Sequence, residues 1–412
     1  MMGYTRRMDI TVPRAADFDD ISGLFSLAFH DAPEPEVVDI ERSVFEPDRA
    51  LLVRDAGVPV AHATAFTREL TVPGAVLPAA HVTGVAVAPT HRRRGLLTAL
   101  MRRQLREIRD AGREPVAVLW ASEGRIYPRF GYGLAARRCT VQCDTTELRL
   151  PDPGPAAGTL RLGRADTHAA ELARLYERVR ADRPGWSGRD ERWWAYRLAD
   201  LASLRGGATP RRVLLHDGPT GPDGYALYRA KEEWGPTGPC GQVLVEEVVA
   251  ATGEAYVELW RLLLSVDLTR RLSFRYAALD EPLFWLLNEP RRLGAQLADS
   301  LWVRVVDLPA ALAARRYATE VDVVLEVTDD LLPENTGRWR LVGGPTGAEC
   351  VATTAPAGLA CDVRALGELY LGGTGLGALG AAGRVRELVP GTVAATAPAF
   401  TWHRAPSPME VF

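Results

Sequence analysis

Val85-Ala86-Val87-Ala88-Pro89-Thr90-His91-Arg92-Arg93-Arg94-Gly95-Leu96-Leu97-Thr98 is the stretch on which the fold reading turns. A strand-like run, Val82-Thr83-Gly84-Val85-Ala86-Val87, meets Pro89 and then a basic turn bearing one glycine. Beyond the turn, Leu97, Met101, Leu105 and Ile108 recur every three or four residues, which predicts an amphipathic helix. Val116-Ala117-Val118-Leu119-Trp120 follows as a short buried strand, and a loop runs from Ala121 to Gly133. Together these make a β-α-β unit with a glycine turn between strand and helix. A helix start leaves backbone N–H groups unpaired, and the dipole there favours an anion. Gly95 would let the backbone approach a phosphate closely, while three arginines supply charge-assisted donors. Alone, an Arg-Arg-Arg-Gly turn reads as solvated surface. Its place between a strand and an amphipathic helix favours the phosphate site.

Outward from this unit, residues 1–150 alternate strand and helix signals. Asp17 is placed to cap a helix carrying Phe18, Ile21, Leu24, Phe25 and Ala28, and apolar runs at Leu51–Val53 and Val58–Phe66 read as strands. Pro151-Asp152-Pro153-Gly154-Pro155-Ala156-Ala157-Gly158 reads as a linker. Residues 151–300 repeat the style of the first segment. Helices are expected around His168–Arg178, Trp193–Leu198 and Ala255–Val266, and strands at Arg212–His216, Tyr225–Arg229 and Val243–Ala250. The order suggests a diverged internal copy. Residues 301–412 change character. Strands at Val321–Val327, Arg338–Val342 and Glu349–Thr354 precede a Gly/Leu/Ala-rich helical region at Val363–Val389, a small α+β domain. The expected class is α/β (α+β), in three domains over 1–150, 151–300 and 301–412.

The 412 residues are 47% apolar and 25% charged, the composition of an ordinary globular protein. With Lys+Arg 49 against Asp+Glu 52, no bulk basic charge exists to hold nucleic acid or an anionic membrane. The start, Met1–Arg7, leads into a strand-like Asp9–Val12 with no signal-peptide core, and no apolar run is long enough to span a membrane. Five scattered cysteines make a disulfide framework unexpected, and Cys139-x3-Cys143 lacks a second pair at zinc spacing, so no metal is expected. A reducing cytoplasm is the default compartment.

Arg92-x-x-Gly95-x-Leu97 resembles the CoA-binding motif of the Gcn5-related N-acetyltransferases (GNAT), except that Leu97 stands where a small residue is usual. The wider string Val87–Leu97, with Ala121-Ser122-Glu123-Gly124-Arg125-Ile126-Tyr127-Pro128-Arg129-Phe130-Gly131-Tyr132-Gly133, is similar to the Eis (enhanced intracellular survival) family. That resemblance implies tandem GNAT-like domains followed by a sterol-carrier-like (SCP2-like) domain. It implies an acyltransferase that uses acetyl-CoA to acetylate amines: lysine side chains, polyamines or aminoglycosides. Val85, Ala86 and Val87 would hydrogen-bond the pantetheine arm as an added strand would. Arg92, Arg93, Arg94, Gly95, Leu96, Leu97 and Thr98 would cradle the pyrophosphate, and Ser122 and Glu123 would line the far side of the slot. Tyr127 would be the general acid, and the carboxylate on Phe412 the general base. A homohexamer is implied on the same ground.

The chemistry fits those roles. A lysine-like amine, with a pKa near 10.4, must lose a proton to attack a thioester, and an α-carboxylate is ionised at pH 7 to accept it. A phenol near 10 can protonate a thiolate near 8.5. His30, His81 and His91 are rival bases, read here as structural. Acidic residues around His30 (Asp31, Glu34, Glu36) could attract a cationic amine. In the second segment no arginine precedes Gly253, and Glu254 would repel a pyrophosphate, so this copy is expected to bind no CoA. Trp186, Trp193, Trp194 and Tyr196 read as packing. Two other functions remain open at this level: a lipid or sterol carrier, suggested by the stretch Asp362–Gly373, and a CoA-binding regulator without turnover.

Overall fold

The computed structural model describes residues 8–151 and 158–412. The opening Met1–Arg7 and most of the Pro/Gly linker lie outside the described residues.

The first sheet is built outward from the β-α-β unit. Its early strands are β1 (Ile10–Thr11), β2 (Leu51–Asp55), β3 (Val58–Val72), β4 (Ala75–Val87) and β5 (Val116–Trp120). Helices α1 (Phe18–Phe29) and α2 (Pro35–Val44) join β1 to β2, and α3 (Leu96–Ala111) crosses from β4 to β5. β1 to β4 pair antiparallel, while β5 lies parallel to β4, as a helical crossover requires. On α3, Met101, Leu105 and Ile108 of the expected stripe are buried, together with Leu100, while Leu97 is half-buried. Phe18, Ile21 and Leu24 are the buried side of α1. Asp17 does not cap that helix as expected. Its carboxylate accepts the Arg14 N–H at 2.6 Å and pairs with Arg54 at 2.8 Å. β3 also runs past Phe66, because the chain buries Arg68 and gives it partners from distant segments.

The second sheet takes a strand from before residue 150, and the strand after residue 300 returns to the first sheet. Beside β5 lies the strand Leu301–Val305, and beyond it β6 (Gly133–Leu134). β7 (Arg137–Asp144) belongs instead to a second sheet, ordered Gln296–Asp299, β7, Thr269–Ala277, Gly241–Ala250, Gly221–Lys231, Arg212–Gly218, Thr159–Arg164. The chain therefore changes sheets twice, at Ala135–Ala136 and at Ser300. The two crossings are tied together: Ala135 and Ala136 both donate to the Leu301 carbonyl at 3.0 Å, and Ser300 donates to Ala136 at 3.1 Å. The physical reason is burial. Leu301-Trp302-Val303-Arg304-Val305 is buried throughout, which suits a strand flanked on both edges. Its one charge, Arg304, is neutralised by Asp329 at 2.8 Å.

Helices α4 (Ala169–Arg180) and α5 (Glu191–Leu198) begin the second unit. The third sheet, Ala348–Ala352, Gly337–Gly343, Val321–Thr328, Leu359–Asp362, Val385–Glu387, carries the strands read in the last segment. The expected helical region at Val363–Val389 is broken. It holds short helices at Val363–Leu369 and Leu376–Ala381 and then the strand Val385–Glu387, with Gly372 (φ 79°) and Gly383 (φ 71°) ending the helical turns. Among the described residues no helix is long and apolar enough to cross a membrane.

Candidate active site

β4 pairs with β5 only from Ala79–His81 against Val116–Val118. Both strands continue beyond that point without pairing to each other, so the backbone of Val82–Val87 faces a gap. On its other edge β4 bulges against β3. Register runs from Thr64↔Thr83 directly to His62↔Ala86, leaving Gly84 and Val85 opposite one residue. Gly84 takes φ 59°, and the His62 Nδ1–H donates to its carbonyl at 2.7 Å. A Cβ there would lie 3.0 Å from the Phe25 ring. Val85, Ala86 and Val87 thus sit where an extended arm can hydrogen-bond as an added strand.

The turn after β4 is shaped by two left-handed residues, Arg93 (φ 63°) and Gly95 (φ 81°). A Cβ on Gly95 would meet nothing within 4 Å, so the turn opens outward. No side chain caps α3, whose first helical bond is Ala99 N–H to the Gly95 carbonyl at 3.0 Å. The N–H groups of Leu96, Leu97 and Thr98 are therefore left for a ligand or water. Arg92, Arg93 and Arg94 are exposed and carry no ion pair among the described residues. This donor set fits a pyrophosphate. Leu97, unusual for the motif, folds away from the turn, half-buried on the cluster that holds Met101 and Tyr127. His91 is occupied by Asp55 at 3.0 Å and Thr90 at 2.9 Å.

Beyond β5, Ser122 and Glu123 are exposed, and Glu123 holds Arg125 at 3.0 Å. Tyr127 opens a one-turn 3-10 helix, Tyr127–Phe130, with its ring 5.9 Å from that of Tyr132. Burial pushes its hydroxyl up to about 12.

Phe412 lies on a different residue of β4. The Thr83 hydroxyl donates to its carboxyl-terminal oxygen at 2.8 Å, and its ring meets His81 at 4.6 Å. It closes a cavity of about 460 Å³ between α1, α2, β3, β4 and α5. Phe25, Phe66, Trp193 and Tyr196 are aromatic walls of this cavity, and Asp31 and Glu41 bring carboxylates to it. Burial raises the Glu41 pKa, and the neighbouring Asp31 charge raises it further. A cationic amine would offset both effects. Tyr127 does not line this cavity, so the two residues expected to act together are not in contact among the described residues.

Several expectations are sorted by this geometry. His81 is structural: fully buried, bonded to Ala79 and Ser187, and held down to about 3 by burial and then by the Arg68 charge. His30 ends α1 at φ 59°, and of the acids near it Asp31 reaches the cavity, whereas Glu34 and Glu36 do not. The aromatic cluster read as packing divides. Trp186 stacks on Tyr176 at 5.0 Å in the core, while Trp193 and Tyr196 face the cavity. His62, Glu41 and Phe66 escaped the sequence reading because no local motif marks them. In the second unit, Thr252 caps the helix Gly253–Leu264 and donates to Asp223 at 2.8 Å, with Glu254 in the first turn. Carboxylates stand there in place of arginines.

Residues 9–135 and 185–305 each match an acetyltransferase (GNAT) domain, and residues 308–408 match a sterol carrier protein domain. The chain is 40% identical to N-acetyltransferase Eis of Mycobacterium tuberculosis over 384 residues, 89% of this chain and 91% of that protein. The chain belongs to the Eis family of GNAT N-acetyltransferases. An uncharacterized N-acetyltransferase of Streptomyces avermitilis is 43% identical over 404 residues, 97% of this chain and 98% of that protein. The crystal structure of Eis1 from Mycobacterium abscessus superposes with a TM-score of 0.85 at 34% identity, covering 98% of this chain and 100% of that one. As an Eis-family acyltransferase, the chain has two GNAT domains followed by a sterol-carrier-like domain. GNAT acetyltransferases use acetyl-CoA, and the gap beside β4 and the open start of α3 fit that co-substrate.

Proposed function

We propose that this Eis-family enzyme transfers the acetyl group of acetyl-CoA to primary amines of cationic acceptors: polyamines, aminoglycosides or lysine side chains. The carrying observation is the position of Phe412. Its carboxylate is bonded to Thr83, the residue before the Gly84 bulge, at the wall of an aromatic and acidic cavity. In this reading Val85, Ala86 and Val87 bind the pantetheine arm. Arg92, Arg93 and Arg94, with Gly95, Leu96, Leu97 and Thr98, bind the pyrophosphate, and Ser122 and Glu123 flank the slot.

The Phe412 carboxylate accepts the ammonium proton, directly or through water, and the neutral amine attacks the thioester carbonyl. Asp31 and Glu41 hold further cationic centres of the acceptor, and the aromatic walls exclude water. Tyr127 is the general acid toward the departing thiolate. Its hydroxyl at about 12 lies well above a thiol near 8.5. It therefore stabilises the developing sulfur charge by a hydrogen bond; as the C–S bond breaks it protonates the sulfur, and the second proton shed by the acetylated nitrogen restores the phenol, leaving amide and free thiol. The second GNAT domain, with Asp223 and Glu254 at the corresponding helix start, binds no CoA in this reading.

Two coarser proposals accompany this one. One is a homohexamer, the assembly that the family resemblance implies. Five free cysteines suit a reducing cytoplasm.

Thiol release from acetyl-CoA against a panel of amines tests the reading. Release is expected only when an amine is present, and most strongly with acceptors carrying two or more cationic nitrogens. Tyr127→Phe should lower kcat with the KM for acetyl-CoA nearly unchanged. Amine-independent release, or an unaffected Tyr127→Phe, would contradict it.

A further inference from the structure

Glu410 stands two residues before Phe412, and its carboxylate is gripped from both sides. Arg68 of β3 pairs with one oxygen. Arg189, in the segment before α5, reaches the other at 2.7 Å and 2.9 Å. Arg68 also donates to the Gly188 carbonyl at 2.9 Å and lies 3.9 Å over the ring of Trp193, a wall of the acceptor cavity. Arg189 is in turn locked by a bidentate pair with Glu247 of the second sheet, at 3.0 Å and 2.8 Å, both side chains fully buried. The grip thus joins the first sheet, the tail and the second sheet at one carboxylate.

Such a contact differs from a surface ion pair, which holds little. Releasing Glu410 would strand Arg68 in a buried site, and buried charge left unpaired is strongly unfavourable. Beyond Glu410 the tail is held by the Thr83 hydroxyl, the ring contact with His81 and packing of the Phe412 ring beside Val44, Phe66 and Trp193. Val411 is 53% exposed and lines the cavity beside it.

We propose that Glu410 is a positioning residue for the Phe412 carboxylate, and that the second GNAT domain contributes to catalysis by holding Glu410 through Arg189. This rests on the reading of Phe412 as the general base. It gives a domain with carboxylates at its own helix start a function in the reaction of the first.

Glu410→Gln tests it, since Arg189 keeps Glu247 as partner. The variant is expected to lose roughly tenfold in kcat, with the KM for acetyl-CoA within about twofold. Carboxypeptidase should remove Phe412 from it several-fold faster, read by intact mass. In a chain with one glycine added after Phe412, Glu410→Gln should change kcat by less than about twofold, because both changes act through the same carboxylate. Should Glu410→Gln not fold, Glu410→Asp keeps the charge on a shorter arm and carries the same expectation at roughly threefold. An unchanged kcat and unchanged trimming, or fully multiplicative losses in the double variant, would overturn the inference while the added glycine still confirms the base. If the added glycine alone costs nothing, the base assignment itself fails and this inference with it.

Discussion

The Thr83 hydroxyl donates a 2.8 Å hydrogen bond to the Phe412 oxygen, joining residues 329 positions apart in the chain. The strand beside the gap proposed for acetyl-CoA and the group proposed to activate the amine are thereby one structural unit. Hydrogen bonds to charged groups contribute about 1.5–3 kcal/mol, part of which Thr83→Val would leave to water. A fall in kcat of about fivefold is expected, with the KM for acetyl-CoA unchanged; steady-state kinetics with a saturating amine measure both.

Arg93 holds φ 63°, a conformation asparagine tolerates, so Arg93→Asn removes charge without straining the turn. The KM for acetyl-CoA should rise roughly tenfold, while kcat at saturation stays near the parent value. The parent KM should also rise with salt more steeply than the variant's, one phosphate contact having been lost.

Much of this arrangement was readable from short-range pattern. The α3 stripe, the Arg92–Gly95 turn and the Gly84-bearing strand announce themselves within a few residues, because helix and strand periods are local. The sheet exchange at Ala136 and Ser300 was not, since β7 and Leu301–Val305 look like ordinary strands wherever they pair. The cavity proposed for the acceptor was hidden for the same reason. His62 and Phe66 on β3, Glu41 on α2, Trp193 on α5 and Phe412 in the tail come from four separate segments, and only folding brings them together. The anchor of the tail, Glu410 between Arg68 and Arg189, was hidden as well, because it depends on two distant arginines.

Glu41 has a pKa raised by burial and by Asp31, so it is protonated at a higher pH than an ordinary glutamate. As pH falls, the cavity loses negative charge, and the KM of a multiply charged amine should rise. Glu41→Gln should raise that KM at neutral pH by roughly fivefold and flatten its rise toward acid. A monoamine should respond less. Equal responses from both amines would remove Glu41 from acceptor recognition.

Acid should destabilise the fold in two stages of the same sign. His62 and His81 are lowered from 6.5 to about 4 and about 3, chiefly by burial, so the unfolded chain binds more protons below 6.5 and stability falls from there. Burial would raise Glu410, but Arg189 and Arg68 overcome it and hold the group at about 2, against a usual 4.5. Its contribution is therefore complete above 4.5 and is lost as pH falls toward 2. Melting temperature should be level near pH 7–8, decline below about 6.5 and drop further below about 4.5. A flat profile down to pH 5 would show the buried histidines to be accommodated when charged.

The most direct measurement is kcat for amine acetylation by the chain carrying one extra glycine after Phe412, set beside its affinity for CoA by calorimetry. The expected result is a loss of roughly a hundredfold in kcat with CoA affinity unchanged, because the carboxylate moves off Thr83 while the gap beside β4 and the start of α3 stay intact. Full activity in that chain would contradict the assignment of the Phe412 carboxylate as the base.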